Sequence, residues 1–347
     1  MDTIGNTQGV RPKALVTGAN GFMGTYMVEL LVEQGYDVLA TDIGPASTER
    51  TSPTQPGQRC YYAPCDLRDR PQVAALVDGY AFDHVFHIAG LFDYSAAYKD
   101  LYDVNVRGTR HLLRELAAGA RRPRSVVVWG AAGVYDFDRE SPAKETSPVD
   151  PKGGYLTTKY MEEMEALDLG RELGLAVTVI RPCGVYGPRS RYGVATSIIM
   201  CARGGMGPFY FGSGKTRAGM IHAEDVCRAA PFLSRRPEAA GEIYNVNDDS
   251  SYATADLMRA CAKRLGFPLI PGNLPLGIMK FFVGNLGRKA AKKGRISAVN
   301  AEMTDLLACD AMLDASKLKA LGWVPKHPDS MRGLLETIEW YEKEGWL

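Results

Sequence analysis

With 347 residues, 46% of them apolar, the chain is long enough to bury a sizeable core as one large domain or two closely joined ones. Forty-one basic against forty acidic residues leave a net charge of +1, so no overall field argues for a nucleic-acid partner, and no run approaches the roughly 18 apolar residues of a spanning helix. The seven cysteines are scattered and never spaced Cys-x-x-Cys, which argues against a disulfide framework or a metal site and fits a reducing cytoplasm, and Met1 to Val10 lack the regions of a signal peptide.

The apolar run Ala14-Leu15-Val16 reads as a strand, followed by the turn Thr17-Gly18-Ala19-Asn20-Gly21-Phe22-Met23-Gly24 and an amphipathic helix. Strand, glycine turn and helix make a phosphate cradle. Gly18 can take the positive φ of a tight turn, Gly21 lets the backbone approach a pyrophosphate, and Gly24 lets the helix pack near the strand. The free N–H groups and partial positive charge of the helix N-terminus then hold the anion. The next strand, Tyr36–Thr41, ends in Asp42, eighteen residues beyond Gly24. A carboxylate there accepts hydrogen bonds from adenosine ribose hydroxyls and repels a 2′-phosphate, favouring NAD over NADP.

Further strand-like runs at Tyr61–Ala63, His84–Ile88, Val126–Trp129 and Ala176–Ile180 alternate with helical patterns, among them Tyr98–Ala118 and Tyr155 to about Leu173. The alternation predicts an α/β fold, a Rossmann-like doubly wound parallel sheet. After Pro182 the pattern loosens into turns, with helices near Ala195–Ala202, Thr254–Leu265 and Met331–Glu344, which marks a smaller, irregular C-terminal lobe. The expected division is a dinucleotide-binding domain over 11–182, with 218–246 returning to it, and a substrate lobe mainly over 183–347. Leu274, Ile278, Phe282 and Leu286 recur every four residues, and Arg288, Lys289, Lys292, Lys293 and Arg295 follow. Two readings stay open: a helix resting on an anionic membrane or lidding an apolar pocket, or a core helix followed by a solvated basic loop.

Tyr155-Leu156-Thr157-Thr158-Lys159 places a phenol and an ammonium four apart, on one helical face. A phenol with a pKa near ~10 is a weak base at neutral pH. A fixed neighbouring cation, or an oxidised nicotinamide, favours the phenolate and so a proton-moving pair.

Taken together, these residues resemble the extended short-chain dehydrogenase/reductase family. The resemblance runs over nearly the whole chain: the glycine turn, Asp42, Cys65-Asp66-Leu67, His87-Ile88-Ala89-Gly90, Asn105-Val106-x-Gly108-Thr109, Tyr155/Lys159, Arg181-Pro182, Val185-Tyr186-Gly187-Pro188 and Ile221-His222-x-x-Asp225. It implies an enzyme in which Tyr155 is the acid/base, Lys159 binds the nicotinamide ribose and Asn105 joins them. NAD would meet Gly18, Asn20, Gly21, Phe22, Met23 and Gly24 at its phosphates and Asp42 at its ribose, with Asp66 and Leu67 at the adenine. Ala89, Gly90 and Pro182 would line its path. It also implies a homodimer through a four-helix bundle built from the helices around 98–118 and 155–172.

One departure is serious: where the family usually carries a serine that holds the substrate oxygen, this chain has Ala131. Tyr94, Ala131, Cys183, Arg189 and Arg217 are the expected substrate-side residues. Gly184, where nucleotide-sugar enzymes usually carry Asn, weakens a sugar reading. Arg181-Pro182 and Leu91-Phe92-Asp93-Tyr94-Ser95 look more like the 3β-hydroxysteroid and sterol-4-carboxylate dehydrogenase branch. The expected activity is therefore NAD-dependent interconversion of a secondary alcohol and a ketone on a hydrophobic, sterol-like molecule, with oxidative decarboxylation if a carboxylate lies beside the carbinol; Arg189 or Arg217 would then position that acid. The alternatives are a nucleotide-sugar epimerase or dehydratase that retains NAD, and an NAD-binding protein with little catalysis.

Overall fold

The computed structural model describes residues 11–46, 59–200, 202–203, 210–211, 214–267 and 309–347, together with positions 273, 274, 277, 278, 281 and 285. Strand β1 (Lys13–Thr17) leads through the glycine turn into α1 (Phe22–Glu33), and β2 (Asp37–Thr41) follows. Next come β3 (Cys60–Tyr62), α2 (Arg70–Val77) and β4 (His84–His87). After α3 (Tyr98–Leu101) the chain passes through a π-turn, Tyr102–Arg107, into α4 (Gly108–Ala118). Then β5 (Ser125–Trp129), the long α5 (Gly153–Leu173) and β6 (Val177–Pro182) complete the first half.

Six of these strands and β10 (Ile243–Val246) form one seven-stranded sheet in the order β10-β6-β5-β4-β1-β2-β3, and each pairing is parallel. The sheet is buried on both faces because its strands are almost wholly apolar and alternate sides. Ala14, Val16, Val38, Ala40 and Phe86 pack into a core beneath α1, whereas Leu15, Leu39, Val85, Val126 and Val128 point the other way, into a core with Leu112 and Leu116 of α4 and Ala166 of α5. Strand order reverses between β1 and β4, which is the crevice where open α/β sheets bind ligands beyond the carboxyl ends of their strands.

Short signals end the helices where the sequence places them. Asp69 accepts the Gln72 N–H to cap α2, and Gly174 adopts φ 66° to close α5. The remaining elements include β7 (Gly184–Tyr186), α6 (Val194–Met200), β8 (Tyr210–Phe211), β9 (Met220–His222), α7 (Ala223–Ser234), α8 (Thr254–Leu265) and a C-terminal helix, Ser330–Lys343. Tyr186, Ile198, Met220, Leu257 and Leu334 unite this part around a separate core. Helix α7 packs beside α1 through Val226, Ala229 and Ala230, so the chain returns to the sheet after leaving it.

Two expectations need correcting. The helix over 98–118 is interrupted by the π-turn, which inserts an extra residue per turn and re-aims the side chains between Leu101 and Gly108. The apolar stripe does not begin as a helix: Asn273–Leu274 pairs in parallel with Tyr210–Phe211, a strand position for Leu274. Gly277, Ile278, Phe281 and Asn285 are helical, with Ile278 and Phe281 exposed. Phe282, Leu286 and the basic cluster 288–295 lie outside the described residues. Among the described residues, no helix is long and apolar enough to cross a membrane.

Candidate active site

At the turn after β1, Gly18 has φ +68°, and a Cβ there would come within 2.7 Å of Ala89 N. A Cβ on Gly24 would lie 2.0 Å from Gly18 O, so helix and turn can close only around a residue without a side chain. Gly21 occupies the N-cap of α1 with no side-chain capping bond, leaving the helix N-terminus to face the crevice with its own N–H groups. The geometry fits a pyrophosphate and leaves no room for a larger residue at either glycine.

A cavity of about 780 Å³ runs from this turn across the sheet ends. It passes Asp42, then Asp66 and Leu67, follows Ala89 and Gly90, and ends among Ala131, Tyr155, Lys159, Pro182 and Cys183. Asp42 accepts hydrogen bonds from Asn20 N–H at 2.9 Å and Ile43 N–H at 2.8 Å, fixing its carboxylate at the tip of β2. Asn20 Nδ2 donates to Pro45 O and to the Tyr62 hydroxyl. Asp66 is paired with Arg68 at 2.7 Å, and this guanidinium holds its carboxyl below the usual carboxylate range. Phe22 and Met23 complete the wall at the helix start.

Asn105 is fully buried behind the cavity wall. Its Oδ1 accepts the Leu91 N–H at 2.8 Å and its Nδ2 donates to Thr158 Oγ1 at 3.1 Å. The π-turn aims it so, and Asn105 therefore ties the loop after β4 to α5 rather than standing in the cavity: it is a positioning residue.

Tyr155 is buried against Phe92 and Tyr94, with ring centroids 5.0 and 4.8 Å away. Lys159 Nζ donates to Trp129 O and to Glu162 Oε2, both at 2.6 Å. This corrects the expectation that Lys159 pulls the phenol toward phenolate, because Glu162 offsets the ammonium. Burial instead pushes the Tyr155 phenol well above its ordinary value, with Tyr94, Glu162 and Glu163 adding in the same direction. The phenol holds its proton.

Sequence reading missed the two glutamates beneath this pair. Glu162 and Glu163 are both fully buried. Burial raises Glu162 to about 7, and its Oε1 lies 3.8 Å from Nε2 of His87, an imidazole that burial lowers to about 3. Glu163 Oε2 receives the Arg181 guanidinium through Nε at 2.8 Å and Nη2 at 2.7 Å, while its Oε1 accepts the Ala131 N–H at 3.1 Å. The available signal was their position three and four residues after Lys159 on the same helix.

Neither substrate-side arginine reaches the cavity. Arg189 makes a bidentate pair with Glu29, two bonds of 2.7 Å, and lies over the Tyr26 ring. Arg217 is held by Asp310 at 2.7 Å. Both cations are already paired with carboxylates: Arg189 forks across the two Glu29 oxygens, and Arg217 directs Nε and Nη2 to a single Asp310 oxygen. Cys183 lines the cavity, and its thiol donates to Asn247 Oδ1 at 3.0 Å.

Residues 14–247 match the family described as NAD dependent epimerase/dehydratase. The chain belongs to this family. Its members' NAD-dependent chemistry makes the protein an oxidoreductase-type enzyme with NAD as its cofactor. The chain is 27% identical over 94% of its length to 3beta-hydroxysteroid-dehydrogenase/decarboxylase isoform 1 of Arabidopsis thaliana, of which it covers 78%. It is 28% identical over 74% of its length to UDP-glucose 4-epimerase of Mycolicibacterium smegmatis, covering 83% of that protein. Its fold matches a crystal structure of UDP-glucose 4-epimerase from Thermotoga maritima with a TM-score of 0.74 at 23% identity, across 96% of this chain and 99% of the other.

Outside the cleft of this family member, His222, Glu224 and His327 bring ligand-type atoms within 4.8 Å of one another. They already satisfy each other: His222 Nδ1 accepts the Glu224 N–H, Glu224 pairs with His327 at 3.0 Å and Lys326 at 2.7 Å, and the two imidazoles lie 3.9 Å apart.

Proposed function

We propose that the protein interconverts a secondary alcohol and a ketone on a hydrophobic, sterol-like ring system, with NAD as the redox partner. The observation that carries this reading is the wall around Tyr155. Phe92, Tyr94, Phe137, Leu156 and Tyr192 line that end of the cavity, and the cation beside them, Lys159, is neutralised by Glu162. Among the described residues, no unpaired arginine or lysine faces this end to hold a nucleotide diphosphate, and apolar walls with few polar groups suit a ring hydrocarbon. The similarity to a 3beta-hydroxysteroid dehydrogenase/decarboxylase supports the same class.

Bound NAD supplies a two-electron hydride acceptor, or a donor in its reduced form. The chain supplies the proton chemistry and the shape. As it stands, Tyr155 carries its proton and is poised to give it to a ketone oxygen. In the oxidative direction Tyr155 takes the carbinol proton, and a bound oxidised nicotinamide would favour the phenolate that this requires. Lys159, clamped by Glu162 and Trp129 O, fixes the floor beneath Gly90, where a Cβ would come within 3.6 Å of Nζ. Aromatic walls exclude water from the reacting oxygen, which strengthens each hydrogen bond made there.

The test is NADH formation, followed by absorbance, from 3β-hydroxysterols with and without a 4-carboxylate. With Arg189 and Arg217 both committed to acids, the expected result is turnover of the neutral alcohol without need of the carboxylate. Failure on all sterols combined with epimerisation of UDP-glucose would overturn the assignment.

A further inference from the structure

Beneath the Tyr155 end of the cavity lies a buried cluster of ionisable groups: Lys159, Glu162 and Glu163 from α5, Arg181 from β6 and His87 from β4, with no side chain more than 6% exposed. Their hydrogen bonds decide their charges. Thr17 Oγ1 accepts the N–H groups of Ile88 and Ala89, so its own proton goes to His87 Nδ1, and His87 Nε2 carries the ring's one hydrogen and gives it to Thr109 Oγ1 at 2.8 Å. Thr109 in turn donates to Asn105 O. His87 is therefore neutral, as its burial also favours. Arg181 and Glu163 offset each other through two bonds. Lys159 and Glu162, joined at 2.6 Å, offset each other only while Glu162 is ionised.

Lys159 lines the cavity, whereas Glu162 stands behind it. Oε2 of Glu162 is spent on Lys159, and Oε1 is buried without a hydrogen-bond partner, 3.8 Å from His87 Nε2. A buried carboxylate supported at one oxygen gains from any further cation brought near it. The other charged groups of the cavity wall lie toward its far end: Asp42 at the tip of β2, and Asp66 and Asp100, which both act on Arg68.

Resting on the alcohol–ketone reading above, with the nicotinamide at the Tyr155 end, we propose that Glu162 sets the preference of the cleft between the two redox states of its cofactor: its carboxylate offsets the Lys159 ammonium, so that the cationic ring of NAD is accepted as well as the neutral ring of NADH. Glu162 acts through Lys159 and is a positioning residue. Without its charge, the floor of this end carries one uncompensated positive charge. The two forms of the dinucleotide share their adenosine, pyrophosphate and riboses, so the ratio of their affinities isolates this charge from every other contact. Burial holds the Glu162 carboxyl at about 7, so it is partly protonated near neutrality, and a bound cation draws that proton out. NAD affinity therefore rises with pH through this value, while NADH affinity stays flat. Lys159 and Glu163 on α5, His87 on β4 and the Thr109 hydroxyl on α4 are the groups that face Glu162. Burial raises Glu163 as well, so a variant lacking only the Glu162 charge is the control.

The test is calorimetric titration with NAD and with NADH of wild type, Glu162→Gln and the double variant Lys159→Met/Glu162→Gln. Glutamine keeps the shape and an acceptor for Lys159 Nζ. At about pH 8, Glu162→Gln is expected to weaken NAD about tenfold relative to NADH, and the double variant, neutral again, to return the ratio to within about threefold of wild type. In wild type the preference for NAD over NADH should rise several-fold between about pH 5.5 and about pH 8.5, and in Glu162→Gln it should stay flat. A packing defect would weaken both forms alike. An unchanged ratio in Glu162→Gln, or a wild-type ratio indifferent to pH, would overturn the role of Glu162 and leave the alcohol–ketone reading standing. Should Glu162→Gln fail to fold, the wild-type pH series decides alone. A wild type that binds neither form overturns the alcohol–ketone reading and this inference together.

Discussion

Tyr155→Phe is expected to lower turnover by roughly 10³-fold while leaving NAD affinity within about threefold of wild type. The substitution removes one oxygen and nothing else: the ring keeps its contacts with Phe92 and Tyr94 and stays buried. Among the described residues, no hydrogen bond of the fold depends on the hydroxyl in the way that the bonds of Asn105 or Glu163 do, so folding should be undisturbed. The loss would therefore report proton transfer. Steady-state kinetics with the best alcohol, beside a calorimetric titration with NAD, separates the two quantities. A variant that retains even a tenth of the rate would move the acid/base role to another residue.

The second large effect is on stability. Arg181→Met should cost about 3–5 kcal/mol, because it leaves the Glu163 carboxylate buried without its cation. Arg181 and Glu163 side chains are 2% and 0% exposed, and the guanidinium also lies over the Tyr135 ring at 4.7 Å. With an unfolding entropy near ~2.1 cal/mol/K per residue over this length, that cost lowers the thermal midpoint by about 4–7 °C. Methionine preserves most of the volume, so the deficit is mainly electrostatic. Arg181→Met/Glu163→Gln should recover much of it, since the uncompensated charge is gone. Calorimetry of both variants checks this: an Arg181→Met protein as stable as wild type would mean that water or another cation already serves Glu163.

The phosphate cradle was legible because each glycine answers a local steric demand that sequence spacing records: the positive φ at Gly18, and the closure of α1 onto the turn at Gly24. The parallel sheet was legible for a similar reason. Strands such as Val126–Trp129 are apolar on both faces, and such runs, when helical patterns separate them, have few other ways to be buried. What escaped was set by distant partners. Arg189 and Arg217 looked like free cations near a substrate, but their partners Glu29 and Asp310 lie 160 and 93 positions away along the chain. Glu162 and Glu163 escaped because α5 is packed on several sides and carries charged residues inward, so apolar periodicity does not reveal which acids face the core. The π-turn that aims Asn105 escaped as well, since a single inserted residue leaves helical propensity unchanged.

If NAD acts as proposed, a dinucleotide lies along the crevice from Gly18 to Tyr155, with its adenosine ribose against Asp42. Calorimetric titration of the purified protein with NAD and with NADP measures this. One NAD should bind per chain, and NADP should bind at least about tenfold more weakly, because its 2′-phosphate would meet the Asp42 carboxylate. Equal affinity for the two would move the ribose away from β2, and binding of neither would remove NAD from the cleft and the proposed chemistry with it.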